Sequence, residues 1–255
     1  MAQVSIITPT YNCAKFIAQT IESVLAQSYT DWEMIISDDC STDNTQEVIR
    51  PYLEADSRIK YISNEKNSGA AITRNNALKV AQGRWIAFLD SDDLWQPEKL
   101  ERQIAFMESN GYAFSYTDYT VIDEDSQSLG QRVIGPNRIT KLGMHAYCWM
   151  GCLTVMYDSV VVGLVQIEDI KKNNDYAMWL KIVEKADCYR LAQSLAQYRK
   201  RTGSISNHNY VSLIKWHYKL FREAEHLNSF VSGLLTLGNI FFGVVKKILY
   251  ICKIC

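Results

Sequence analysis

The sequence predicts an α/β protein built on a parallel sheet, and two observations carry that prediction. Through residue 110, short apolar and β-branched runs alternate with stretches of helical periodicity at the spacing of βαβ units. Three of the strand-like runs end in polar clusters, TPTYN, DDCS and DSDD. In open sheets of this kind ligands bind beyond the carboxyl ends of the strands. Clusters far apart in sequence are therefore expected on one edge.

Residues 4–8 (VSIIT) read as a buried strand closed by Pro9, and residues 14–27 as a helix with apolar positions Phe16, Ile17, Ile21, Val24 and Leu25. Residues 32–37 (WEMIIS) form the second strand. Ser41, Thr42 and Asp43 offer N-cap chemistry to a helix running toward Leu53. Residues 58–63 are the third strand, 69–82 a helix stopped by Gly83, and 85–89 (WIAFL) the fourth strand. Pro97 sits at a helix start, where proline is tolerated, ahead of a helix over 98–110. Beyond this point the pattern loosens. A strand pair is expected around 112–122 with a turn at 123–128, a strand at 152–157, a helix at 176–184, an extended segment at 187–198 and a helix at 208–227.

The 255 residues carry 27 Lys+Arg against 28 Asp+Glu, a net charge of −1, so no field exists to hold nucleic acid. Apolar residues at 47% exclude a disordered chain. Seven cysteines, an odd and sparse number, point to a reducing compartment. The amino terminus has no secretory pattern. Cys148/Cys152 and Cys252/Cys255 have ligand-like spacing but no matched second pair, which favours packing over zinc. From Leu227 to Val245 no residue is charged, and Lys246 and Lys247 follow. Polar and glycine positions dilute the run, making it marginal for spanning a membrane and suited to lying on one.

The first strand-to-helix turn, Thr8-Pro9-Thr10-Tyr11-Asn12, has no glycine, which argues against dinucleotide and S-adenosylmethionine folds. No GxxxxGK[ST] occurs. The strongest chemical signal is Asp90-Ser91-Asp92-Asp93 directly after a buried strand. Carboxylates two residues apart can face one Mg²⁺ or Mn²⁺, which prefer hard oxygen ligands shared with substrate phosphates. A solvated turn with an aspartate N-cap is the alternative.

VSIITPTYN, ISDDCSTDNT, NSGAAITRNNAL, FLDSDD and NDYAMWLKI, in this order across residues 3–206, resemble family 2 glycosyltransferases of the GT-A fold. The resemblance implies a single domain over 1–227, with a nucleotide-sugar half (1–122) and an acceptor-side half (123–227), followed by an apolar and basic tail (228–255). It places Thr8, Pro9, Tyr11 and Asp38 around the nucleotide base. Uracil suits Asp38, because its N3–H can donate to a carboxylate, and Tyr11 offers a ring face for stacking. Asp39 fits a helix-dipole role instead. Arg74 would sit near ribose or phosphate, or pair with the strand-end carboxylates. Asp90 and Ser91 would face the nucleotide sugar, and Asp92, with Asp90, would hold the metal. Asp93 is the third carboxylate of the turn.

The catalytic base of inverting members is the second acid of a Glu-Asp pair. Here the pair is Asn174-Asp175, which keeps only that second acid; Asp175 could equally be an N-cap. Tyr176, Trp179 and residues 150–153 would lie on the acceptor side. In YRKRTGSIS the family often has a histidine where this chain has Arg201, which with Lys200 could clamp a leaving diphosphate. The implied reaction is inverting transfer from a UDP-sugar, with Mn²⁺ or Mg²⁺, to a hydroxyl of a lipid-diphosphate-linked saccharide in O-antigen or capsule assembly. The setting would be the cytoplasmic face of the inner membrane, with the tail as peripheral contact. Two rivals remain: a sugar-nucleotide pyrophosphorylase, which would want a glycine-rich first turn, and a non-catalytic sugar-nucleotide sensor or membrane scaffold.

Overall fold

The computed structural model describes residues 2–201 and 210–253. The chain runs β1 (Val4–Thr10), α1 (Ile17–Leu25), β2 (Trp32–Asp38), α2 (Thr45–Ala55), β3 (Ile59–Ser63), α3 (Ala70–Val80) and β4 (Trp85–Phe88). It continues through β5 (Leu94–Trp95), α4 (Lys99–Asn110), β6 (Phe114–Ile122), β7 (Ser128–Val133), β8 (Arg138–Ile139) and α5 (Lys141–Ala146). A 3₁₀ turn (Cys152–Thr154), β9 (Met156–Asp158), α6 (Ser159–Val162), α7 (Asn174–Val183) and β10 (Cys188–Arg199) follow. Last come α8 (Tyr210–Lys219), a π-helical turn (Leu220–Ala224), α9 (Ser229–Leu249) and β11 (Ile251–Lys253).

The sheet order is β11-β7-β6-β9-β4-β1-β2-β3, with β10 beside β6. β1, β2, β3 and β4 are mutually parallel, whereas β9 runs antiparallel between β4 and β6. The first half is therefore the parallel sheet that the sequence predicts, and the second half makes it mixed. Alternate residues of β1 and β2 feed two cores. Val4, Ile6, Met34 and Ile36 pack with α1, α2 and α4, while Ile7 and Ile35 pack with α3, α7 and the later helices. Burial on both faces is why these strands read as unbroken apolar runs. Gly83 ends the α3 connection because a Cβ there would lie 2.4 Å from the Ser5 backbone nitrogen.

Three expectations need correction. Helix α1 starts at Ile17, not at residue 14, because the preceding turn is tied down elsewhere: Cys13 N–H donates to Thr45 Oγ1 and Ala14 N–H to Asp43. The strand expected at 152–157 splits into the 3₁₀ turn and a shorter β9; the Thr154 hydroxyl donates back to the Gly151 carbonyl and curls the chain. The helix expected over 208–227 is α8 followed by the π turn, and residues 208 and 209 lie outside the described residues. The tail does not hang free. Helix α9 packs on α5, α8 and the π turn, and β11 pairs with β7.

Candidate active site

The carboxyl ends of β1, β2 and β4 open on one edge, where two turns are laced together. Asn12, left-handed at φ 48°, receives the Thr42 N–H on its side-chain oxygen at 2.7 Å and donates its own N–H to Ser41 Oγ. Cys40 in the facing turn is also left-handed, at φ 63°. This lacing holds Tyr11 outward, 46% exposed, beside half-buried Pro9. Thr8 is fully buried, and its hydroxyl and that of Thr10 have no partner.

Asp38 is buried at the end of β2 and fixed from two sides. One oxygen accepts from Ser41 N–H (3.0 Å) and Ser41 Oγ (2.6 Å), and the other from the Tyr61 hydroxyl (2.7 Å). Burial, then the Asp38 carboxylate, pushes the Tyr61 phenol up to about 12. The sequence reading passed over Tyr61, although its position in β3 faces the same side as Asp38 through the parallel register. Asp39 accepts from Ser68 N–H and Gly69 N–H, so it serves the start of α3 rather than that of α2.

Arg74, buried on α3, joins two halves of the site. Its guanidinium donates to Asp90 Oδ1 at 2.5 Å and to Asn174 Oδ1 at 2.6 Å. Asn174, standing where the family pattern has an acid, is thus the contact between α7 and the donor side. Asp175 lies in the first turn of α7, and the N-cap is the left-handed Asn173, which makes no side-chain cap bond. Asp175 is therefore not the N-cap residue itself, although its Oδ1 accepts the Tyr176 N–H of the first turn at 2.8 Å. Burial raises the Asp175 carboxyl above the usual carboxylate range, and Arg74 opposes the shift only in part.

Asp92 is half-buried, with the Arg201 Nε 2.7 Å from its carboxylate. Burial raises its pKa; Arg201 works against that and neighbouring Asp90 with it. Asp93 turns inward and accepts the Arg199 N–H at 2.8 Å, so it leaves the site. Arg199 is the anchor that the sequence reading missed among the basic residues 199–201. Fully buried, it donates to the Asp92 carbonyl, the Asp123 carbonyl, Ser126 Oγ and Gln19 Oε1, tying the end of β10 to the acidic turn. Ser91 is buried, and its carbonyl accepts from the Thr20 hydroxyl. The remainder of the basic loop, 202–206, lies outside the described residues.

Tyr176 and Trp179 are not platforms for an acceptor sugar. Both are buried: Trp179 packs edge-on to Phe88 at 5.0 Å and tilts against Phe114, and the Tyr176 hydroxyl donates to the Met144 carbonyl. Apolar burial of an α7 face facing the sheet outweighs the display of rings. Met150, Cys152 and Leu153 are likewise buried. Two adjoining grooves of about 430 Å³ lie among Arg84, Gly111, Tyr112 and Val161, at the amino ends of β4 and β6, the edge away from the carboxylates.

Among the described residues no group of three or more His, Cys, Asp or Glu is arranged to hold an ion by itself. The donor set fits a shared ion instead. Asp90 and Asp92 supply hard oxygens, and each is matched by a guanidinium, which marks a place that calls for positive charge. Two carboxylates plus a diphosphate suit Mg²⁺ or Mn²⁺.

Comparison with known proteins agrees with this geometry. The pattern described as Glycosyl transferase family 2 matches residues 5–150. The chain is 42% identical over 226 residues to TuaG of Bacillus subtilis (strain 168), named for teichuronic acid biosynthesis, covering 88% of this chain and 89% of the relative. It is 39% identical over 250 residues to the Escherichia coli protein named UDP-Glc:alpha-D-GlcNAc-diphosphoundecaprenol beta-1,3-glucosyltransferase WfgD, covering 95% and 94%. Residues 1–349 of Staphylococcus aureus TarS, solved with UDP-GlcNAc, superpose with a TM-score of 0.73 at 22% identity, over 92% of this chain and 70% of that one. With the family pattern over more than half its length and relatives matched nearly end to end, the chain belongs to glycosyl transferase family 2 and has the GT-A fold.

Proposed function

We propose that this enzyme transfers a sugar from a UDP-sugar to a hydroxyl of a lipid-diphosphate-linked saccharide, with inversion to a β-glycoside. The observation that carries the reading is Arg74, which bridges Asp90 on the donor side to Asn174, the neighbour of the only acid at the start of α7. The lipid-linked acceptor follows the name of the near full-length relative from Escherichia coli.

Asp38, its carboxylate oriented by Ser41 and Tyr61, accepts the uracil N3–H, and Tyr11 stacks on the base. Asp175 removes the proton of the acceptor hydroxyl as general base. The acceptor oxygen forms its bond to the anomeric carbon from the face opposite the diphosphate. The anomeric C–O bond breaks and its electron pair leaves with UDP. Asp92 and Asp90 would hold a divalent ion, which when bound would supply Lewis-acid stabilisation of the leaving diphosphate. Arg201 is placed to leave Asp92 for that diphosphate, and Arg74 to keep Asp90 and the start of α7 in register. Such an acceptor places the enzyme at the cytoplasmic face of a membrane, with residues 228–255 as the peripheral contact.

The test is a panel of UDP-, dTDP- and GDP-sugars with Mn²⁺ or Mg²⁺ and a polyprenyl-diphosphate saccharide. Transfer from UDP-sugars alone, giving a β-linked product, is expected. Transfer from dTDP- or GDP-sugars at equal rate overturns the UDP-sugar assignment, and an α-linked product overturns single displacement.

A further inference from the structure

Helix α9 is built inside out. The residues it buries against the protein are Ser232, Thr236 and Asn239. Its exposed large side chains are Phe230, Leu234, Leu237, Phe241, Val244, Ile248 and Leu249, the first six spaced four, three, four, three and four residues apart. That spacing places them in one stripe along the helix. Over the 18 steps from Phe230 to Ile248 the stripe runs for about 27 Å at 1.5 Å per residue. A helix covering a soluble core shows the reverse polarity.

The inward face is a specific fit. Asn239 Nδ2 donates to the His145 carbonyl, Gly243 meets Tyr147, Phe242 packs on Trp149, and Lys246 Nζ donates to the Trp149 carbonyl. The apolar stripe is thus held outward by bonds on the other side.

With 21 residues α9 is long and apolar enough to cross a bilayer. Its ends forbid it. At the start, Leu227 N–H donates to the Phe221 carbonyl in the π turn, and Asn228 caps the helix through Val231 N–H. At the finish, Ile134 N–H donates to the Tyr250 carbonyl, and Ile251–Lys253 pair with β7. Both ends belong to one globular body, so the helix cannot have one on each side of a membrane.

We infer that α9 lies flat in the interface of an anionic bilayer, its Phe230–Ile248 stripe sunk among the acyl chains as a monotopic anchor. The occupant is chosen by charge: Lys247 and Lys253 are exposed at the carboxyl end of the apolar stripe, where anionic headgroups would meet them. The choice of membrane over another apolar surface also rests on the proposed lipid-linked acceptor. The geometry gives docking a consequence at the site. Consecutive carbonyls of α5 tie the two helices together, Met144 accepting from Tyr176 on α7 and His145 from Asn239 on α9. The helix that carries Asp175 therefore keeps a set position above the bilayer.

The test uses the full chain without substrate: flotation with phosphatidylglycerol vesicles and with phosphatidylcholine vesicles. The wild type is expected to float with the anionic vesicles and less with the phosphatidylcholine vesicles. L237E/F241E alters two exposed positions, so its melting temperature should match the wild type, while its partition falls about tenfold or more. Its turnover on a soluble short-chain acceptor should stay within about twofold of wild type. A wild type that does not float, one that floats equally with both vesicle types, or a variant that floats equally well overturns the inference. So does a wild-type dimer that L237E/F241E splits without any vesicle binding, since the stripe would then meet a second copy. Flotation requires no turnover, so failed transfer to the lipid acceptor with intact flotation counts against the acceptor reading alone.

Discussion

The Nε of Arg201 lies 2.7 Å from a carboxylate oxygen of Asp92 without hydrogen-bond alignment, so the contact is an ion pair alone. It holds in place a carboxylate that has a second task. Asp92 is pushed toward its neutral form by burial and by Asp90, and the guanidinium keeps it closer to the charged form. An arriving ion and diphosphate would replace that guanidinium and offer it a new anion.

Asp92→Ala should therefore remove metal-dependent UDP affinity while the protein stays folded, since the side chain lies at the surface end of the acidic turn, 18% exposed, and its ion-pair partner is the loop residue Arg201. Calorimetric titration of UDP with and without Mn²⁺ checks this. The same Mn²⁺ enhancement in the variant as in the wild type would show that Asp92 is not a ligand.

Trp179 should behave as a core residue. Trp179→Ala should cost about 3–5 kcal/mol of stability, whereas Trp179→Phe, assayed below its melting temperature, should leave the acceptor KM within about twofold of wild type. A large KM change in the Phe variant with stability intact would restore a sugar-facing role.

Lys99 is fully buried over the Trp95 ring at 3.8 Å, its Nζ without a hydrogen-bond partner, and burial holds its pKa well below the usual lysine range. The unfolded chain binds a proton there that the folded chain releases, so this residue makes stability rise with pH between its folded pKa and about 10.4. Lys99→Met should be more stable than wild type near neutral pH, with the gap narrowing as pH approaches 10. Urea unfolding at several pH values measures it. A gap that widens with pH would contradict the assignment.

The parallel half was legible because a strand buried on both faces reads the same whichever helix covers it. Ile6 and Ile7 serve different cores and are equally apolar. The acidic turn was legible because DSDD follows such a strand. What sequence could not supply was direction. Tyr176 and Trp179 sit on a helix buried nearly all round, where an aromatic fits a core and a sugar site equally well until α5 and the sheet are in place. Among Arg199, Lys200 and Arg201, which one turned inward depended on the Asp93 carboxylate and the 123–126 turn, distant in sequence. Tyr61 reaches Asp38 only through the β2–β3 register. The tail composition suggested an apolar face; that this face points outward follows from Asn239 and Lys246 finding carbonyls in the segment 145–149.

The central claim is that Asp175 is the base, and Asp175→Asn tests it most directly because the amide keeps the shape and cannot accept a proton. With UDP affinity measured beside turnover, the account predicts a fall of about 10²–10⁴ in rate and UDP affinity equal to wild type. Its raised pKa adds a signature: wild-type activity should fall with acid at a pH above the ordinary carboxylate range. Turnover of Asp175→Asn within a few-fold of wild type would contradict the account.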